Sequence, residues 1–503
     1  MAGRVWIRVL CIVVLAGMLL SGAVAAADSW SVTADGETTT VTYNGSGTVG
    51  DPYLIDGNNS MMLVRLQGIE SDSNDQAVGT KHFKLTADIE ASNTSGWNSN
   101  TGFTPIPTVI SGSLDGDNYT ISNLYIDQTG LGEGAGLFEE IQNFNVRNIR
   151  LANLTVEDND RLHDAGGISA STGGQPSEIS NVEVSGTVVS DGDSGGLIGL
   201  INTNSIDITE SYFDGNVTGK FAAGGLTGNV VNEVNVSDSY VIIDEISVSD
   251  SEGIVSPLIN QGPFESPSPT GNVTNVYAVV NTVSGEGSPR TTEYSDLTSS
   301  NVYIQDGGQN FAGLTPLPQA NMTGIAAVEN MTFSSWSDTW VVTDSYPELL
   351  AHSDGTEPAV ILFDGSATVS PAAPDAGDTV TVTVPLQNLG GTSGQETLTL
   401  VYDGQTVDSN PVNLVRGSSN TALQWDSAPT DGGNQTLTIT TSSQSQDVSV
   451  TLAQVNSPPT VTNRSVSVTA GQTVDGDVVA NASDADGDAL SVNSTPVSGP
   501  SAT

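Results

Sequence analysis

A glycine followed by a large aliphatic residue recurs along the first part of the chain at nearly constant intervals. Successive glycines are 31, 29, 29 and 28 residues apart, in the pairs Gly136-Leu137, Gly167-Ile168, Gly196-Leu197, Gly225-Leu226 and Gly253-Ile254. A fixed period of this length is typical of a solenoid, in which each repeat is too small to bury its own apolar face and stacks on its neighbours. We expect the aliphatic residues to form one interior column.

Each repeat also contains a second segment in which Ile, Val or Tyr alternates with other residues. These segments are Asn148-Ile149-Arg150-Leu151, Asn181-Val182-Glu183-Val184, Ser211-Tyr212-Phe213, Ser239-Tyr240-Val241 and Asn275-Val276-Tyr277-Ala278-Val279. A period of two predicts strands. One repeat then fits one coil of a parallel β-helix, with strands of adjacent coils about 4.8 Å apart. Glycine before each aliphatic residue permits a tight corner where two backbones approach closely.

Two of these units carry a specific resemblance. Ser194-Gly195-Gly196-Leu197-Ile198-Gly199 and Ala223-Gly224-Gly225-Leu226-Thr227-Gly228 resemble the GLUG repeats of bacterial and archaeal surface proteins. Residues 50–55, 83–89 and 112–121 resemble the entry coils of that family, and 340–350 its closing segment, so the resemblance covers roughly 45–352. It implies a right-handed parallel β-helix over 27–352, of the kind found on adhesin-like or matrix proteins. The coil count stays open, because the Gly253 unit lacks a glycine pair.

A different pattern begins after Pro358. Strands with alternating apolar residues at 360–363, 379–384, 396–402, 437–440 and 448–452 are separated by glycine-rich turns, which predicts a small antiparallel sandwich over 359–453. The segment 384–390 resembles the CARDB-type immunoglobulin-like modules of prokaryotic surface proteins. We expect Trp425 to be a core aromatic residue of this domain.

The last segment, 456–503, begins with the stiff linker Ser457-Pro458-Pro459 and then resembles the start of a cadherin-like tandem repeat. Asp484, Asp486 and Asp488 alternate around Gly487, and such carboxylates can converge on a hard cation such as Ca²⁺. These three aspartates are the predicted metal site, with further ligands expected beyond Thr503. A solvated acidic turn is the alternative interpretation.

The N-terminus has the three regions of a secretory signal peptide. Arg4 and Arg8 precede an apolar run over 9–20, and small residues follow through Ala27. We predict a cleaved signal peptide over 1–26, with a retained membrane anchor as the alternative. Cys11 is the one cysteine and lies in the apolar run, so no disulfide or thiol chemistry is expected in the mature protein.

The charge narrows the setting in which this chain can fold. Twelve Lys and Arg face 58 Asp and Glu, which gives a net charge of -46. In dilute buffer such a surface repels itself, whereas molar salt shortens the screening length to about 3 Å. The composition resembles that of exported proteins of halophilic archaea. It also argues against nucleic acid as a partner, because phosphate contacts require clustered cations.

Fourteen Asn-x-Ser/Thr sequons lie between Asn44 and Asn493. In an exported protein they are candidate glycan acceptors on exposed positions.

No motif in the sequence is specific for catalysis. The three histidines, His82, His163 and His352, lack the H-E-x-x-H spacing of a zinc peptidase, and we expect His82 and His163 on the coil surface. We therefore expect a secreted or cell-surface, non-catalytic adhesion or structural protein that binds matrix glycans or proteins, with no cofactor except Ca²⁺. We expect no membrane attachment to be encoded in this stretch after the signal peptide. The alternative is a carbohydrate-active β-helix enzyme with two opposed carboxylates.

Overall fold

The computed structural model describes residues 29–34, 37–58, 62–67, 81–131, 134–159, 163–202, 205–260, 269–285, 297–307, 311, 313–453, 456–463, 465–477, 479–485 and 487–492. Strands account for 54% of the chain and helices for 6%, which confirms the predicted all-β class. The chain divides into two compact units, Met1–Leu317 and Pro318–Thr503. The predicted signal peptide lies outside the described residues.

The first unit is a β-solenoid of about seven parallel turns. Its described residues include a short helix, α1 (Leu63–Gln67), and a three-ten segment, Ser92–Asn100. Its strands are β1 (Ser29–Ala34), β2 (Glu37–Thr42), β3 (Tyr53–Ile55), β4 (Lys81–Leu85), β5 (Ile89–Glu90), β6 (Val109–Asp115), β7 (Thr120–Ser122), β8 (Tyr125–Asp127), β9 (Phe138–Asp158), β10 (Ala165–Gly166), β11 (Ser169–Thr172), β12 (Ser177–Ser190), β13 (Asp193–Gly195), β14 (Ile198–Ile201), β15 (Ile206–Thr209), β16 (Tyr212–Gly219), β17 (Ala222–Gly224), β18 (Thr227–Val230), β19 (Val234–Val248), β20 (Ile254–Ser256), β21 (Gly271–Gly285), β22 (Leu297–Gln305) and β23 (Thr315–Leu317).

Parallel pairing stacks equivalent apolar residues of successive coils. One interior column, starting from Tyr53, contains Phe83, Leu114, Val146, Ile179, Ile208, Val236 and Val273. Every member of this column is buried, and all belong to one continuous core. The solenoid is therefore held together by contacts between neighbouring coils, as the repeat period predicts. The handedness of the coil stays a prediction.

The Gly-aliphatic corners form a second column, with one correction to its last member. Leu137, Ile168, Leu197 and Leu226 are fully buried, as predicted. In the next coil, the Leu226 N–H donates to the carbonyl of Leu258, and Ala222 pairs with Ile254. The structural equivalent of Leu226 is thus Leu258, not Ile254 as the sequence spacing predicts. The shift arises because the coil after Gly225 contains extra residues before its corner.

Another corner of the solenoid is occupied by residues with left-handed backbone conformation. The equivalent positions, all with φ between 47° and 64°, are Asn118, Asn148, Asn181, Glu210, Asp238, Asn275 and Asn301. Asparagine tolerates this conformation better than most residues. Its amide also bonds along the stack, since Asn181 Nδ2 donates to Asn148 Oδ1 at 2.7 Å and Asn301 Nδ2 to Asn275 Oδ1 at 3.0 Å. We call this row the asparagine ladder.

The second unit contains helix α2 (Gly324–Asn330), a three-ten segment (Gln319–Asn321) and twelve strands among its described residues. The strands are β24 (Trp340–Val341), β25 (Glu348–Leu349), β26 (Ile361–Phe363), β27 (Thr368–Ser370), β28 (Thr379–Asn388), β29 (Gly394–Tyr402), β30 (Gln405–Leu414), β31 (Gly417–Asp426), β32 (Gly433–Thr440), β33 (Ser445–Leu452), β34 (Thr460–Val461) and β35 (Ala482–Ser483).

Two four-stranded antiparallel sheets form the body of this unit. β28 pairs with β26, β27 and β31, and the other sheet has the order β30-β29-β32-β33. Alternate residues of both sheets fill one core, which includes Val382, Leu400, Leu437 and Trp425. Trp425 is 2% exposed and its ring lies 4.6 Å from that of Tyr402, so its prediction as a core residue is confirmed.

Residues 318–352, predicted as the end of the solenoid, belong to the second unit. Arg416 fixes them to the sheets, because its guanidinium donates to the carbonyl oxygens of Leu389 and Trp340, both at 2.6 Å, and of Ser337 at 3.3 Å. The last parallel ladder of the solenoid ends at Leu317. Among the described residues, no helix is both long and apolar enough to cross a lipid bilayer.

Candidate functional site

Two successive repeats place an aspartate at the same corner of the solenoid. Ala165 pairs with Ser194, so the preceding residues Asp164 and Asp193 are neighbours, and the Asp193 N–H donates to Asp164 Oδ1 at 3.0 Å. The fully buried carboxylate of Asp158, at the end of β9, lies beside them, with its Oδ2 3.6 Å from His163 Nδ1. We call Asp158, Asp164 and Asp193 the corner carboxylates.

The corner carboxylates repel one another in a poorly solvated position. Burial, followed by the negative charge of Asp193 and then that of Asp158, raises the pKa of the Asp164 carboxyl to about 7, although the Asp193 N–H opposes the shift. Asp193 has a stabilising partner, because Asn229 Nδ2 donates to its Oδ2 at 2.8 Å. Asp164 can therefore exchange a proton near neutral pH, beside an Asp193 side chain that the Asn229 amide holds in place.

An outward-facing column of aromatic and charged residues crosses five coils. Arg150 Nε lies 3.3 Å from Glu183 Oε2, and Tyr212, Tyr240 and Tyr277 follow in register. The ring centroids of Tyr212 and Tyr240 are 4.5 Å apart, and those of Tyr240 and Tyr277 are 5.0 Å apart, with nearly parallel planes. Tyr240 and Tyr277 are buried, so the stack contributes to packing and only its Tyr212 end is accessible to a ligand.

A second group of carboxylates lies next to that accessible end. Burial raises the pKa of the Asp214 carboxyl, and the negative charges of Asp244 and Glu183 raise it further. Asp244 accepts a hydrogen bond from Asn281 Nδ2 at 3.1 Å in the following coil. This face can offer carboxylates and one partly exposed aromatic ring to a polar ligand.

Amide groups, rather than cations, bridge many carboxylates from coil to coil. Asp115 has both kinds of partner: burial opposes its ionisation, but the Asn148 amide, the Asp117 N–H and the Arg147 guanidinium outweigh burial and lower the pKa of its carboxyl. Further amide-to-carboxylate bonds of 2.9 to 3.1 Å are Asn235 to Asp207, Asn275 to Asp238, Asn281 to Asp244 and Asn123 to Glu90. The acidic surface of the solenoid is thus part of its hydrogen-bonded framework.

The predicted calcium loop is only partly described. The Asp488 N–H donates to Asp484 Oδ1 at 3.3 Å, and Gly487 between them has a φ of 80°. Asp486 lies outside the described residues. Within those residues, no group of three or more His, Cys, Asp or Glu side chains is placed to hold a metal ion. The Ca²⁺ site therefore stays a prediction.

The histidines predicted on the coil surface are both partly exposed. His82 Nδ1 lies 2.8 Å from Ser113 Oγ, whereas His163 belongs to the corner described above. Sequence reasoning did not single out Asp164 and Asp193 among 58 acidic residues. A usable signal was present, because each lies three residues before the second glycine of its repeat, in Asp164-Ala165-Gly166-Gly167 and Asp193-Ser194-Gly195-Gly196.

Comparisons with known proteins give one relative by sequence. The chain is 38% identical to Halomucin of Haloquadratum walsbyi over 185 residues, which is 35% of this chain and 2% of that protein. The match is consistent with the haloarchaeal surface protein that the composition predicts. No family model matches the chain. Among solved structures, a b-glucosidase of Erythrobacter marinus is 18% identical over 23% of this chain and 18% of that one; its TM-score of 0.16 carries no structural argument.

Proposed function

We propose that the chain is a non-catalytic structural and binding module of a haloarchaeal cell-surface or extracellular protein. The observation that carries the proposal is the bridging of acidic side chains by amides between coils, as at Asn235 to Asp207 and Asn275 to Asp238. Such bridges order the acidic surface without requiring Lys or Arg as partners. The carboxylates at the exterior stay hydrated, and salt screens their mutual repulsion. The partial match to Halomucin supports the same setting.

In this proposal the solenoid displays a binding face and the second unit is a spacer. The repeat units around Gly196 and Gly225 support assignment of the solenoid to the GLUG repeats. The two sheets packed on Trp425 support a CARDB-type immunoglobulin-like sandwich, and residues 456–503 are assigned to the start of a cadherin-like repeat. Polar glycans or proteins of the cell envelope or matrix are the proposed ligands, and the carboxylate face around Tyr212 and Asp214 is where they bind.

Localisation and binding test this function together. An epitope-tagged copy of the full chain, produced in a halophilic archaeon, should be found in the envelope or the medium. Purified in molar salt, it should bind envelope polysaccharides without shortening them, and binding should weaken in Asp214→Asn. A protein confined to the cytoplasm, or wild-type and Asp214→Asn proteins that both bind no envelope glycan, would contradict the proposal.

The second candidate function is carbohydrate hydrolysis at the corner carboxylates. The raised pKa of Asp164 beside Asp193 favours it, since glycoside hydrolysis uses one protonated and one ionised carboxyl group. Polysaccharide cleavage that is lost both in Asp164→Asn and in Asp193→Asn would support this candidate over the first. Cleavage that survives in both variants would point to a contaminating enzyme instead.

A further inference from the structure

The sequons of the chain differ in whether the side-chain amide nitrogen of the asparagine already donates a hydrogen bond. Three outward-facing asparagines of the solenoid use this nitrogen in bonds between coils. Asn235 Nδ2 donates to Asp207 Oδ1 at 2.9 Å, Asn272 Nδ2 to Asn235 Oδ1 at 3.1 Å and Asn153 Nδ2 to Asn123 Oδ1 at 3.4 Å. All three lie in strands of the solenoid: Asn235 and Asn272 are the second residues of β19 and β21, and Asn153 lies in β9 where its register with β12 shifts.

Three sequon asparagines elsewhere also use this nitrogen as a donor. Asn44 Nδ2 donates to Asp56 Oδ2 at 2.9 Å near the start of the solenoid. In the second unit, Asn321 Nδ2 donates to Asn330 Oδ1 at 3.3 Å, and Asn330 Nδ2 donates to the Ala326 carbonyl at 2.8 Å. Modification at any of these nitrogens removes one of its two hydrogens and places a sugar beside a bond that holds the local structure.

The sequon Asn93-Thr94-Ser95 has the opposite arrangement. It lies in the three-ten segment 92–100, outside the strands, and the Asn93 side chain is exposed with no hydrogen bond to any described residue. Thr94 is fully buried and anchors the segment, because its hydroxyl donates to the Ala91 carbonyl at 2.7 Å and accepts from the Tyr125 N–H at 3.0 Å. Ser95 is exposed, and its hydroxyl donates to the Ser92 carbonyl at 3.0 Å.

We propose that Asn93 is an N-glycan acceptor of the solenoid and that the strand asparagines Asn153, Asn235 and Asn272 stay unmodified. The two groups that define a sequon, the amide of Asn93 and the hydroxyl of Ser95, both face solvent, while the middle residue fixes the segment to the coil. Surface segments outside regular structure are also where modifying enzymes gain access to a folded chain.

The transfer needs a glycosyl phosphate donor, which a glycosylating host supplies. Asn93 Nδ2 forms a bond to the anomeric carbon of the sugar and loses one proton, which a base of the host transferase accepts. The bond from that carbon to the phosphate oxygen breaks, and the phosphate leaves with the electron pair. The product has a neutral N-glycosidic bond on an exposed segment, so it removes no ladder bond and needs no change in the coil.

Glycopeptide mass spectrometry of the full chain, recovered from the envelope or medium of a haloarchaeal host, tests the proposal. The peptide containing Asn93 should carry a glycan, and the peptides containing Asn153, Asn235 and Asn272 should have their unmodified masses. Intact mass should fall by one glycan in Asn93→Gln and equally in Ser95→Ala, which leaves the acceptor in place. Asn272→Gln is the matched control and should leave the glycan mass unchanged.

This inference rests on the proposed surface location, so a second measurement separates the two. Folded protein incubated with host membranes and a labelled glycosyl phosphate donor should incorporate label at Asn93 regardless of export. An exported protein with a bare Asn93, or label at Asn272 in preference to Asn93, would overturn the site assignment. A protein that stays inside the cell but accepts label at Asn93 would overturn the location and leave the site intact.

Discussion

Replacing Asp164 with asparagine should stabilise the folded solenoid at neutral and alkaline pH but not at acidic pH. In the unfolded chain this carboxyl titrates near 3.8, whereas in the folded protein its pKa is about 7. A raised carboxyl pKa means that folding favours the protonated form. The cost of ionising Asp164 is therefore absent below the unfolded pKa, grows as the pH rises toward 7 and is constant above it.

The size of the effect follows from the shift. Each pKa unit corresponds to about 1.4 kcal/mol, so a shift of about three units sets an upper limit near 4 kcal/mol. Molar salt screens part of the repulsion from Asp193 and Asp158, and we expect about 2 kcal/mol. The asparagine Oδ1 can still accept the bond that the Asp193 N–H makes to Asp164, so the variant removes charge without removing this contact.

Equilibrium urea unfolding in molar KCl, followed by far-UV circular dichroism, measures the difference. Asp164→Asn should match the wild type at about pH 4 and exceed it by about 2 kcal/mol at about pH 8.5. Asp115→Asn is the control, because it removes the same charge from a carboxyl whose pKa is lowered, and it should be less stable than the wild type at neutral pH. The reasoning fails if both variants gain stability equally, since relief of net charge would then explain the gain.

Four further outcomes can be measured on the same protein. Gly196→Val should lower the unfolding free energy of the solenoid by about 3 kcal/mol or more, because a Cβ there overlaps the next coil. Gly50 has open space around it, so Gly50→Val should change the unfolding free energy little in the same urea titration. Asn181→Ala should lower the unfolding free energy by about 2 to 3 kcal/mol, because alanine disfavours the left-handed backbone and cannot make the amide bond. Asn181→Gly loses only the bond and should lower it by about 1 kcal/mol, so equal losses in the two variants would exclude a backbone contribution. Arg416→Met should destabilise the second unit by at least about 2 kcal/mol, measured by the fluorescence of Trp340 during unfolding, and Arg416→Lys should have an intermediate effect. An unchanged unfolding midpoint in Arg416→Met would show that the contacts to the carbonyl oxygens do not stabilise the unit. Dialysis from molar salt to dilute buffer should unfold a chain of net charge -46, and recovery of the circular dichroism signal on restoring KCl would distinguish this from aggregation.

The repeat period carried most of the information about the solenoid. It predicted the buried column of Leu137, Ile168, Leu197 and Leu226 because each coil offers the same residue to the same interior position. It failed at Leu258, where inserted residues break the period and only the backbone pairing shows which residue replaces the expected one.

Two other features depended on contacts that no spacing reveals. Residues 318–352 join the second unit through the guanidinium of Arg416, which is more than sixty residues further along the chain. The corner carboxylates were hidden because the position of Asp158 is occupied by Ser190 in the next coil, so the repeat shows no recurring carboxylate there. The three carboxylates repel one another only because folding brings the end of β9 next to the two following coils.

The asparagine ladder also has a consequence for how such a domain can change in length. Asn181 bonds back to Asn148, so each rung finds its partner in the coil before it rather than in a distant part of the fold. Duplication or deletion of one whole coil would therefore present the next coil with an equivalent partner. A gain or loss of residues inside a strand, where no bulge absorbs it, would instead misalign the row that the strand belongs to. Natural length variants of this solenoid should differ by complete coils, with smaller insertions confined to the loops between strands.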